Sequence, residues 1–92
     1  MLTIYRYTAD WCGPCKMMAP VIEKLVNDYS SEDSGVQILS LDVDDLYNKE
    51  QAGKHGVRSI PTLVFEKDGV EVDRTVGGKQ YDEISKLILK HK

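Results

Sequence analysis

Two cysteines, Cys12 and Cys15, are the only ones among 92 residues, and they stand three positions apart. That spacing limits what the chain can fold into. A bridge across so short a loop would contribute roughly 2 kcal/mol in the chain-entropy model, against nearly 5 for a loop of about 100 residues. It cannot tie distant segments together, so a hydrophobic core has to hold the fold. Hydrophobic residues make up 41% of the chain and charged residues 29%, ordinary proportions for a globular protein able to bury a modest core. We expect one domain over residues 1–92, without repeat or linker. The Cys12–Cys15 pair reads as chemistry rather than as a staple.

The formal net charge is −3, with Lys and Arg scattered among Asp and Glu. No basic block points to nucleic acid, and no basic amphipathic segment points to a membrane surface. Met1 to Tyr7 contains no apolar run of signal-peptide length, and no later segment approaches transmembrane length. With Met1 read as a native start, the expectation is a cytoplasmic protein.

Leu2 to Thr8 is rich in β-branched and aromatic residues and predicts a strand. Met18, Val21, Ile22, Leu25, Val26 and Tyr29 then recur at helical spacing. The helix should start near Cys12 to Pro14, since proline suits a first turn. Pro20 lies inside the pattern and should bend it. Ser30 to Gly35 reads as a polar connection, and Val36 to Val43 as a second strand. Asp44 or Asp45 can cap a short helix reaching about Gly53, with Leu46, Tyr47 and Ala52 as its apolar face. Thr62 to Glu66 and Val70 to Val76 are further strands. Asp68-Gly69 between them signals a hairpin. Ile84, Leu87 and Ile88 mark a terminal helix from about Tyr81 to Lys90. The order β-α-β-α-β-β-α predicts an α/β fold, a mixed four-stranded sheet with helices on its faces.

Dithiol exchange needs one thiolate to attack a disulfide and a second thiol to resolve the mixed disulfide. Cysteines three apart share one face of a helical turn. At a helix start, free N–H groups and the macrodipole favour a thiolate. A thiol of pKa about 8.5 is only about 3% ionised at pH 7, whereas one lowered to about 7 is half ionised. Cys12 is therefore expected to be the nucleophile and Cys15, one turn deeper, the resolving thiol. Gly13 removes bulk near the attacking sulfur, Pro14 stiffens the turn, and Trp11 offers an apolar surface. Inert buried thiols are the bland alternative. A zinc site is poorly served, because His55 and His91 are far apart in sequence. No metal and no cofactor is expected. Asp10 and Lys16 read as solvated charges.

The sentence around the cysteines resembles the thioredoxin family. Ala9-Asp10-Trp11-Cys12-Gly13-Pro14-Cys15-Lys16-Met17-Met18-Ala19-Pro20 is similar to the family's active-site segment. Gly56-Val57-Arg58-Ser59-Ile60-Pro61-Thr62 is similar to its cis-proline segment, and Val76-Gly77 to the end of the strand whose glycine helps form the substrate groove. The resemblance covers essentially the whole chain. It implies a thioredoxin-like fold and a cis Ile60–Pro61 bond beside the cysteines. It also implies substrate contacts at Trp11, Gly13, Pro14, Ile60, Pro61 and Gly77, with the Ile60 backbone pairing a substrate strand.

Two departures stand out. The family's initial strand and helix precede the strand corresponding to Leu2–Thr8, and here that unit is expected to be missing, a length closer to glutaredoxins. A barer sheet edge would follow, with dimerisation through it as the alternative to the expected monomer. Arg6 also occupies the place of a buried acid beneath the resolving cysteine. An arginine cannot act as a base at ordinary pH. It either snorkels to an exposed sheet edge or uses its charge to lower a cysteine pKa.

The resulting expectation is a reductase of protein disulfides, recharged by a thioredoxin reductase. The alternatives are a glutaredoxin-like, glutathione-dependent enzyme and a non-catalytic binding subunit with the same fold.

Overall fold

The computed structural model describes residues 1–29 and 31–92. Ser30, at the start of the expected polar connection, lies outside the described residues. The elements in chain order are β1 (Leu2–Thr8), α1 (Gly13–Tyr29), a 3-10 turn (Glu32–Ser34), β2 (Val36–Asp42), α2 (Leu46–Lys54), β3 (Thr62–Lys67), β4 (Val70–Val76) and α3 (Tyr81–His91). This is the β-α-β-α-β-β-α order expected from the sequence.

The sheet runs β2-β1-β3-β4. β1 and β2 are parallel, with Leu2 opposite Val36 and Thr8 opposite Asp42. A parallel pair cannot be joined by a tight turn, and α1 makes the crossover. β3 is antiparallel to β1, and β4 to β3. The β3–β4 hairpin closes at Asp68 and Gly69, both with positive φ, 52° and 85°. That is the backbone twist a two-residue hairpin requires, and asparagine, aspartate and glycine adopt it most readily. The terminal amine of Met1 braces the turn through Asp68 Oδ1 at 3.0 Å.

Alternation along the strands divides the interior in two. Leu2 and Ile4 join Leu63, Phe65, Met18, Ile22, Leu25, Ile84 and Ile88 in the main core, under α1 and α3. Tyr7, Val64 and Ala52 form a smaller cluster on the opposite face, where α2 packs. The helical stripe of α1 is narrower than its sequence suggests. Val26 is 38% exposed, while Met18, Ile22 and Leu25 are buried. The expected apolar face of α2 is also corrected: Leu46 and Tyr47 are exposed and only Ala52 is buried. Leu46 and Tyr47 stand in the exposed first turn, and nine residues are too few for apolar spacing to fix the inward side. Among the described residues no helix is long and apolar enough to cross a membrane.

Candidate functional site

β1 ends at Thr8 and delivers the chain to the start of α1 at one end of the sheet. Cys12 is the last residue before the helix. Its carbonyl accepts the first helical bond, from the Lys16 N–H at 3.1 Å. Gly13 and Pro14 open the helix, and Cys15 follows within the first turn. Proline is tolerated there because its missing N–H has no helical partner to lose.

Cys12 and Cys15 form a disulfide, with Cα atoms 5.2 Å apart. Cys12 is 6% exposed and Cys15 only 1%. The backbone N–H of Cys15 donates to Cys12 Sγ at 3.2 Å. This donor is already aimed at the outer sulfur, and in the reduced protein a thiolate would accept from it more strongly than a thiol. Gly13 and Pro14 are exposed on the solvent side of the pair.

The cis-proline segment is brought to the same place. Ala9 and the two cysteines form a small buried cluster, and Val43 and Ile60 pack against it. The Ile60–Pro61 peptide bond is cis. The Pro61 carbonyl accepts from the Gly77 N–H at 2.8 Å, and Gly77 has φ of 87°. Ile60, Pro61 and Gly77, separated in sequence from the cysteines, therefore lie in one connected segment of the fold. Trp11 is 67% exposed, and its indole N–H donates to the Asp44 carboxylate at 3.0 and 3.2 Å. Trp11 lines an open cleft of about 630 Å³ with Val43, Ala52, Val57, Arg58 and Ile60.

Asp44 was foreseen only as a possible helix cap. Asp45 is the cap instead, its Oδ1 accepting from the Tyr47 and Asn48 N–H groups at 3.0 and 3.2 Å. Asp44 holds the tryptophan. The signal in the sequence was the indole donor itself, which needs a partner, but nothing local named it. Val43, at the end of the expected second strand, and Val57, in the cis-proline segment, also line the cleft.

Arg6 reaches the sheet edge, as the snorkelling reading expects, and it also contacts the cysteine segment. Nη1 reaches Ser40 Oγ on the edge strand at 3.4 Å, while Nη2 turns under α1 and donates to the Cys15 carbonyl at 2.9 Å. Parallel pairing sets Arg6 beside Ser40, and α1 crosses above both. Burial pushes the guanidinium pKa down. Among the described residues, no group of three or more His, Cys, Asp or Glu side chains could hold a metal ion.

Comparison with known proteins places this geometry in context. A family model described as Thioredoxin matches residues 1–90. A thioredoxin of Staphylococcus saprophyticus is 48% identical over 90 residues, covering 98% of this chain and 82% of that one. A thioredoxin of Bacillus subtilis is 46% identical over 85 residues, covering 92% of this chain and 77% of that one. Among solved structures, a thioredoxin from Nicotiana alata superposes with a TM-score of 0.86 at 43% identity, covering 99% of this chain and 73% of that one. One from Fasciola hepatica gives 0.85 at 38% identity, covering 99% and 81%.

Proposed function

The chain belongs to the thioredoxin family and is a dithiol–disulfide oxidoreductase, and from that premise we propose that it reduces protein disulfides with Cys12 as nucleophile and Cys15 as resolving thiol. The observation that carries this assignment is the asymmetry of the pair. Cys12 is the more exposed residue, stands at the helix start and receives the Cys15 N–H at its sulfur; Cys15 lies deeper.

In the proposed cycle the Cys12 thiolate attacks one sulfur of a substrate disulfide. The substrate S–S bond breaks, the leaving sulfur takes up a proton, and a mixed disulfide forms. Cys15, as thiolate, attacks Cys12 Sγ and expels the second substrate sulfur. Two electrons pass to the substrate, and the Cys12–Cys15 disulfide remains. Ile60, Pro61 and Gly77 offer the backbone edge along which an extended substrate segment would lie. Trp11, Gly13 and Pro14 form the exposed rim around the attacking sulfur. We propose that residues 1–92 act as one domain, as a monomer in the cytoplasm, and that a thioredoxin reductase restores the dithiol.

The test is insulin-disulfide reduction with either NADPH and a thioredoxin reductase or glutathione as the regenerating system. Turnover is expected with the reductase. Turnover with glutathione alone would favour the glutaredoxin-like alternative. Cys12→Ser should abolish turnover. Cys15→Ser should stop after one attack and accumulate a mixed disulfide at Cys12. Accumulation at Cys15 in Cys12→Ser would reverse the assigned roles, and activity surviving both substitutions would refute the dithiol mechanism.

A further inference from the structure

Against the Cys15 carbonyl lies a cation that no carboxylate among the described residues neutralises. Arg6 is half-buried, and among the described residues no acidic side chain forms an ion pair with it. Its Nη2 is spent on the Cys15 carbonyl and its Nη1 on Ser40. Its Nε is buried without a partner. An unpaired, partly desolvated charge is unfavourable, consistent with the lowered pKa of this group. The same charge becomes favourable when an anion is created on the residue whose carbonyl it holds. Reduction of the Cys12–Cys15 disulfide creates up to two such anions.

We propose that Arg6 is a positioning residue for the reaction, whose charge stabilises the thiolate of the reduced pair, that of Cys15 above all. This deepens the dithiol reading and rests on it. A stabilised thiolate lets Cys15 attack the mixed disulfide without a proton acceptor beneath the helix. The proton leaves to solvent before the S–S exchange, and the electron pair that forms the new Cys15–Cys12 bond is already free. Stabilising the thiolate also stabilises the reduced form, so the pair becomes more oxidising. The other charged groups around the site are less well placed to do this. Asp10, Lys16, Lys49 and Arg58 are exposed, and Asp44 is held by Trp11. The Asp42 carboxylate accepts from the Asp44 N–H at 2.9 Å. Among the described charged side chains, Arg6 alone bonds a backbone group of the cysteine pair.

Arg6→Gln removes the charge while keeping a donor for the Cys15 carbonyl, and Arg6→Lys keeps the charge. Thiolate absorbance followed against pH should show a thiol pKa raised by about one unit in Arg6→Gln, the lower end of what a nearby opposite charge produces. For a thiol raised from about 7 to about 8, the equilibrium with dithiothreitol at pH 7 should move about twofold toward the disulfide. Arg6→Lys should restore most of both. Should Arg6→Gln fail to fold, Arg6→Met gives the same uncharged comparison. Wild-type thiol pKa values and equilibrium in a folded uncharged variant would overturn the proposal. So would an Arg6→Lys protein that behaves like the uncharged one, because the effect would then belong to guanidinium geometry. Neither readout depends on insulin turnover, so failure of the reductase reading would be seen separately, as an inactive wild-type protein.

Discussion

On β4, Arg74 donates through Nε and Nη2 to the two carboxylate oxygens of Glu71, at 2.9 and 2.8 Å, and Asp73 Oδ2 lies 3.0 Å from His91 Nε2. These contacts make two carboxyls more acidic in the folded chain. The Arg74 hydrogen bond lowers Glu71. The His91 hydrogen bond, followed by the Arg74 backbone N–H, lowers Asp73. Each group therefore adds stability above its ordinary value, 4.5 for Glu71 and 3.8 for Asp73, and loses it as pH falls through the depressed folded value. Both sites are solvent-accessible, so the gain is a few tenths of a kcal/mol each. The urea midpoint should fall between pH 6 and pH 3, and Glu71→Gln with Asp73→Asn should reduce that fall. An equal fall in both proteins would contradict the assignment. At this scale, the cysteine chemistry was legible because it depends on spacing within one helical turn. The Arg6 contact was not, because its acceptor is nine residues away and reaches it only when α1 packs over β1.

The elements differ in how their ends are secured. α2 has one buried residue, Ala52, and a weakly amphipathic sequence, so its cap matters more than its packing. Asp45 accepts two of the N–H groups left without helical partners. Asp45→Ala should lower global stability by about 1 kcal/mol and raise amide exchange selectively across Leu46–Lys54. Uniform exchange would show that α2 is held by its tertiary contacts instead. The sheet edges are also unequal. β4 carries Glu71, Asp73 and Arg74 and faces a register shift at Phe65/Glu66, features that discourage edge pairing. From Val36 to Leu41, β2 carries no charge. Strand and helix order were readable from apolar spacing and from the Asp68-Gly69 turn. The inward face of α2 was not, since nine residues give too few turns for periodicity to distinguish a buried side from an exposed one.

For the whole molecule, the main core brings together residues from both ends of the chain. Phe65 and Leu25 are fully buried, and Ile84 and Ile88 of the last helix pack with Leu2 and Ile4 of the first strand. Phe65→Ala should lower the unfolding free energy by about 3–5 kcal/mol, a large part of the roughly 5–15 kcal/mol typical of a small domain. Chemical denaturation measures it, and a loss below about 1 kcal/mol would mean that the core closes around the missing ring. Loss of this packing would also loosen the junction between β1 and α1 that carries the cysteines. The chain by itself determined the element order, the helix that begins just after Cys12 and the reactivity expected of two thiols three residues apart, because each follows from local spacing and backbone chemistry. The family resemblance places Ile60 beside the pair and Arg6 beneath Cys15; only the tertiary structure decided that Asp44 holds Trp11 and that Arg6 bonds the Cys15 carbonyl. Those contacts join segments distant in sequence, and the strand register and the crossing of α1 over the sheet settle them.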